Sequence, residues 1–243
     1  MQRYEATMSY YDQIAKNWHK ATGYQGGSFK KHVLNDVLLQ KMTAVSGKAI
    51  LELGAGNGYF MKFALQNSAG QNPERVVISD MSSKLLSIAE SNFNIADAEY
   101  LELDVRGPFP FDDERFDLIL ATMVFNEVSS RGMKRALGEC HRVLGPDGLL
   151  LITVTHPTFI EGLNRRDQLK KNKDGILTMP GAKQLRLPIV PRKLKDYERL
   201  LAKTAFNWEA SDVYGTEKLL SQKPGLRNVG NKPLALVLEC RKL

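Results

Sequence analysis

Residues 49–60 read AILELGAGNGYF: an apolar run passes directly into three glycines in five positions, Gly54, Gly56 and Gly58. A chain that leaves a strand through such a turn and then enters a helix is building the corner of an α/β sheet. In open sheets of that kind, ligands bind beyond the carboxyl ends of the strands. Glycine allows the tight turn and lets another group touch main chain without meeting a Cβ. The stretch therefore predicts a strand over 48–53, a turn, and a helix from about 59 to 67.

The rhythm continues on both sides. Residues 4–22 and 29–45 read as helices, the second from the stripe Val33, Val37, Leu38, Met42 and Val45. Further strands are expected at 75–79, 100–103, 116–120 and 149–155. Helices are expected from Ser82 or Ser83, either of which can cap, to about 94, and from 132 to 144. Gly145-Pro146-Asp147-Gly148 reads as the stop of that last helix. After 155 the alternation breaks. Residues 157–192 read as an insertion, 193–206 as a helix, and 208–214 and 234–240 as two strands with no helix between them. The expected fold is α/β: a Rossmann-like, doubly wound, seven-stranded sheet, mostly parallel with an antiparallel last strand and helices on both faces. One domain of 243 residues would hold an N-terminal helical lid (1–46), a ligand-binding core (47–155), a basic insertion (156–192) and a C-terminal helix and strand pair (193–243).

Charge is uneven along the chain. The net charge is +7. The segment from Arg165 to Lys203 carries twelve bases against four acids, so it is +8 and the rest is −1. Such a block points to an anionic partner or to a solvated face. Cys140 and Cys240 are the only cysteines and lie in apolar segments, which suits free thiols in a reducing compartment. No apolar run of about 18 residues is present and the first residues lack a signal-peptide pattern, so the expectation is a cytoplasmic protein that spans no membrane.

Two ligand classes compete for the glycine turn. A dinucleotide would place a pyrophosphate on the helix N-terminus, with the spacing G-x-G-x-x-G. Here the third glycine comes one residue early, and Glu52 would put an anion beside the phosphates. A cationic, phosphate-free ligand reverses that preference. At this point the chain resembles the class I S-adenosylmethionine-dependent methyltransferases, over about residues 48–155. LELGAGNG at 51–58 matches their first motif, and the strand ends at Asp80-Met81 and Asp104-Val105 follow at family-like spacings. FDLILATMVFNEV and HRVLGPDGLLLIT also look like that family's fourth and fifth strands. The resemblance implies S-adenosylmethionine as cofactor, held by Glu52, Gly54, Ala55, Gly56, Gly58, Asp80, Met81, Asp104, Val105 and Thr122. Asp80 would take the ribose hydroxyls, Met81 would lie on the adenine, and Asp104 would accept from its amino group. Carboxylates suit a vicinal diol, and a methionine suits a flat ring.

The acceptor has to be sought beside the methyl group. The chain lacks the Pro-Pro-aromatic motif after strand four, lacks a Pro-Cys pair, and has no Asp after Leu120 for a catechol-type magnesium site. The four histidines show no metal spacing, and no metal is expected. Candidate catalytic residues are His156 just past strand five, Glu127 after strand four, and Tyr11 on the lid helix, where Tyr10 also stands. The expected reaction is a metal-independent, in-line methyl transfer to a small-molecule acceptor, anionic if the basic block serves the site. An RNA methyltransferase using residues 165–203 is the alternative, weakened because Tyr197 is the one aromatic there. A binding module that has lost turnover is a third reading. The sequence leaves the oligomeric state open.

Overall fold

The computed structural model describes residues 8–42, 45–68, 72–95, 97–173, 175–181, 185–223 and 232–243. It opens with helix α1 (Met8–Thr22) and a broken helical segment. The latter comprises α2 (Gly27–Phe29), a π-helical turn (Lys30–Leu34) and α3 (Asn35–Lys41). Then β1 (Ala49–Leu53), α4 (Tyr59–Gln66), β2 (Arg75–Asp80), α5 (Ser83–Phe93), β3 (Ala98–Glu102) and β4 (Phe116–Thr122) alternate as expected. Next come α6 (Ser130–Val143), β5 (Leu144–Thr155), α7 (Pro157–Arg165) and the short strands β6 (Lys170–Lys171), β7 (Leu177–Pro180) and β8 (Arg186–Pro188). The chain ends in α8 (Leu194–Leu201), β9 (Phe206–Val213), α9 (Glu217–Gln222) and β10 (Ala235–Lys242).

Seven strands form one sheet in the order β3-β2-β1-β4-β5-β10-β9. The first five are mutually parallel, and β10 runs antiparallel to both of its neighbours. Side chains alternate across the sheet because successive strand residues point to opposite faces. Ile50, Ile78, Leu118 and Val237 pack with Leu38, Phe60 and Phe93 on one face. Leu51, Val77, Ile119 and Ile152 pack with Met133, Leu137 and Leu201 on the other. Both faces are thus covered by helices. A one-residue slip would exchange the two sets, which fixes the register. Ser82 caps α5 by accepting from the Leu85 amide at 3.2 Å, and Ser129 does the same for α6 with Gly132 at 3.1 Å.

Two expectations need correction. α6 stops at Val143, just before Gly145-Pro146-Asp147-Gly148 as expected, but the fifth strand starts earlier than Leu149. β5 begins at Leu144 and carries those residues as an irregularity, pairing Leu144 with Phe116 and then Leu149 with Leu118. The glycines and the left-handed Asp147 (φ 59°) let the strand bulge without ending it. A short helix, α9, does stand between the last two strands, capped by Thr216, whose hydroxyl accepts from the Leu219 amide at 3.2 Å. The insertion is ordered over its described residues: α7 is followed by a three-stranded antiparallel sheet, β6-β7-β8. Within it, Lys183 lies outside the described residues.

Candidate functional site

The glycine turn after β1 has the backbone it was expected to need. Gly54, Gly56 and Gly58 have φ of 60°, 63° and 76°, the left-handed region that side chains disfavour. An added Cβ would stand 2.6 Å from the Val124 side chain at Gly54 and 2.8 Å from Ala89 Cβ at Gly58. At Gly56 it would meet Trp18 Nε1 at 3.0 Å, so the indole of α1 lies directly on the turn. Asp80 ends β2 with its carboxylate between two amides: Gly56 N–H donates at 2.8 Å and Ser82 N–H at 2.9 Å. Burial pushes Asp80 up to about 6, against the pull of those amides.

Glu52 is placed differently from its expected role. It is buried under the turn and is absent from the lining of the cleft above it. Its carboxylate accepts from the Met61 amide in the first turn of α4. Gly58, the N-cap of that helix, has no side chain with which to do so. An acid there satisfies an orphan amide. Its Oε2 finds no partner among the described residues, and burial pushes the group up to about 8. The acid that precedes the glycines thus acts as a helix cap from below. Ala55 and Gly58 also fall outside the cleft lining. Ala55 instead donates its amide to the Ser79 carbonyl at 2.9 Å, tying the turn to β2.

The remaining expected cofactor residues converge. Gly54, Gly56, Asp80, Met81, Asp104, Val105 and Thr122 line one cleft, together with Tyr11 and Glu127. Asp104 is half exposed; burial raises it, but hydrogen bonds from the Arg106 side chain and amide bring it below the ordinary range. The closest of these is Arg106 Nη2 to Oδ2 at 2.6 Å. Thr122 Oγ1 is buried and has no partner among the described residues. A bare glycine backbone, an orphan hydroxyl, a carboxylate at the end of β2 and a flat apolar wall at Met81 fit an adenosyl group. The free volume is about 80 Å³, below the ~300 Å³ at which ligand pockets begin. Trp18 is the side chain that closes the space over Gly56.

A second cavity of about 300 Å³ adjoins the first. Trp18, Lys30, Met123 and Glu127 line both. Phe159, Leu163, Met179, Leu185 and Leu187 give the second cavity an apolar wall, drawn from α7 and the small sheet of the insertion. Asn126 and Thr155 add a polar corner: Asn126 Nδ2 donates to Thr155 Oγ1 at 3.1 Å and its Oδ1 accepts from the Thr155 amide at 3.0 Å. At the junction, Tyr11 Oη donates to Glu127 Oε1 at 2.5 Å. Burial pushes Glu127 up to about 8 even though that hydrogen bond favours its charged form. Met123 has φ 67°, a left-handed residue without the freedom of glycine, and such strain collects at functional positions.

His156 does not join this assembly. It lies outside the lining of both cavities. Its Nδ1 caps α7, accepting from the Thr158 amide at 3.1 Å, and its Nε2 lies 3.2 Å from Asp212 of β9. Both ring nitrogens are engaged structurally, so the geometry withdraws it as an acceptor-side base. Two arginines of the basic block are held within the fold. Arg192 is buried with its guanidinium on the Phe125 and Val128 carbonyls and over the Tyr197 ring. Arg186 holds the Gln168 and Thr178 carbonyls at 2.7 and 2.8 Å. Tyr197 is buried and offers no stacking platform for a base. Trp18, Lys30 and Met123 were not among the expected site residues. Met123 directly follows Thr122, while Lys30 gave no signal beyond its helical spacing.

Comparison with known proteins agrees with the geometry. A family model described as a methyltransferase domain matches residues 50–148. An uncharacterised protein of Methanocaldococcus jannaschii is 25% identical over 93% of this chain and 80% of its own length. A malonyl-[acyl-carrier protein] O-methyltransferase of Coxiella burnetii is 29% identical over 62% of this chain, which spans only 50% of that relative. Among solved structures, an S-adenosylmethionine-dependent methyltransferase of Mesorhizobium loti superposes with a TM-score of 0.66, covering 90% of this chain and 100% of its own at 19% identity.

Proposed function

We infer the reaction from one premise: the chain belongs to the class I S-adenosylmethionine-dependent methyltransferase family. It is an enzyme of that family with S-adenosylmethionine as its cofactor. When bound, the cofactor supplies a methyl group on a sulfonium, an electrophile that needs alignment more than polarisation.

In our reading Asp80 receives the ribose hydroxyls, Met81 lies against the adenine, Asp104 accepts from its amino group, and Gly54 and Gly56 offer bare main chain. The carboxylate of Asp80 at the cleft favours a cationic ligand. The second cavity takes the acceptor, a small molecule with an apolar body. The observation that carries this is the shared lining of the two cavities at Trp18, Lys30, Met123 and Glu127. Holding both partners there supplies roughly 7–11 kcal/mol of the barrier through placement alone. Above about pH 8, where it is charged, Glu127, held by Tyr11, can take a proton from an acceptor that must lose one; a carboxylate acceptor needs no such step. The Coxiella relative, an O-methyltransferase by name, supports an oxygen nucleophile on an acyl-type acceptor.

Calorimetry with S-adenosylhomocysteine tests the cofactor half. The wild-type protein should bind it saturably, and Asp80→Ala should weaken binding at least about tenfold, since two hydrogen bonds to a carboxylate are lost. Equal affinity in the variant would remove Asp80 from the site.

A further inference from the structure

Lys30 opens the π-helical turn between α2 and α3. Turns of that kind re-aim a side chain and recur at functional positions. Its ammonium lies 5.2 Å from the centre of the Tyr59 ring and 5.7 Å from that of Trp18. Among the described residues, no carboxylate comes within 4 Å of it and no hydrogen-bond acceptor is in reach. The acids Glu52, Glu127 and Asp80 act on it only from further away, and burial lowers its pKa against their pull. A half-buried ammonium with three donors and no protein acceptor, facing two cavities, is free to take an anionic group of a ligand. The aromatic faces steady the charge without satisfying those donors.

The location decides what such a ligand is. Lys30 lines both cavities, at their junction. In the second cavity the other charged lining residues are Glu127 and the surface-exposed Lys223. We propose that Lys30 holds a carboxylate of the acceptor at the junction, which makes the acceptor an apolar-bodied carboxylic acid. This rests on reading the second cavity as the acceptor pocket. Glu127 is compatible with such a guest, because a group pushed up to about 8 carries its proton near neutrality and can donate to the carboxylate. S-adenosylmethionine also has a carboxylate, so the test has to separate the two sources.

Octanoate and its uncharged isostere octanamide are the probes, titrated into the full-length protein saturated with S-adenosylhomocysteine. The wild type should prefer octanoate by about tenfold to a hundredfold, as expected for a charge-assisted pair. Lys30→Met should abolish that preference while binding octanamide and S-adenosylhomocysteine as before, and Lys30→Arg should keep most of it. Retained cofactor binding also shows that the variant is folded. The proposal is overturned if the wild type does not prefer octanoate, or if the preference survives Lys30→Met. It is equally overturned if Lys30→Met loses S-adenosylhomocysteine and leaves octanoate untouched, which would give the ammonium to the cofactor. Failure of the wild type to bind S-adenosylhomocysteine is a separate result and strikes the cofactor assignment itself.

Discussion

Glu52 titrates far from the ordinary carboxylate range, and the consequence is open to measurement. Its folded-state value is about 8, against 4.5 in the unfolded chain. The folded protein therefore holds a proton that the unfolded chain has released, and stability falls as pH rises from about 4.5 to about 8. Glu52→Gln removes that slope. Urea unfolding should show the variant gaining on the wild type between pH 5 and pH 8, by about 1–3 kcal/mol, within the linkage limit of ~1.4 kcal/mol per unit. A constant difference across that range would mean that Glu52 is ionised in the fold. The residue also shows where sequence reading stops. That Gly54, Gly56, Asp80, Met81 and Asp104 would meet at one cleft was legible because turn and strand-end chemistry is local. Glu52 was not, because spacing fixes a residue's place on β1 but not whether its carboxylate points up into a cleft or down into α4.

Helix α1 packs on α5 through Tyr11, Ala15 and Leu85, and Asp12 accepts from the Ser82 hydroxyl at 2.6 Å. That docking lays Trp18 over Gly56, where the cofactor's approach to main chain is expected. The indole has to shift when the cleft fills. The only other tryptophan, Trp208, lies on β9 at the opposite end of the sheet order from β2 and β3. Intrinsic fluorescence should therefore change on adding S-adenosylhomocysteine, and Trp18→Phe should abolish the change while Trp208→Phe retains it. An unaltered spectrum during saturable binding would leave Trp18 in place and the lid without a role. The lid helix was legible, expected over 4–22 and found over Met8–Thr22. The π-helical turn at Lys30 was not, because one extra residue in a helical turn leaves no mark on hydrophobic spacing. Helix α9 was missed because six residues are too few to show a period, and the bulge in β5 because Gly-Pro-Asp-Gly reads locally as a turn.

On the scale of the molecule, the seven-stranded order β3-β2-β1-β4-β5-β10-β9 brings the ends of β1, β2 and β4 together beneath one lid. The insertion then supplies a second, apolar chamber at the same end. The alternation of strands and helices made the sheet legible from sequence. The insertion's purpose was not legible, because its charge count drew attention to the bases while Phe159, Leu163 and Met179 form the wall. Arg186 and Arg192 turned out to satisfy main-chain carbonyls within the fold. The proposed reaction needs two adjoining chambers, one for donor and one for acceptor. A crystal structure with S-adenosylhomocysteine tests this most directly. It should show the nucleoside beside Asp80, Met81 and Asp104, with the sulfur facing Met123 and Glu127 and the second chamber beyond. A sulfur directed away from that chamber, or a nucleoside seated elsewhere, would contradict it.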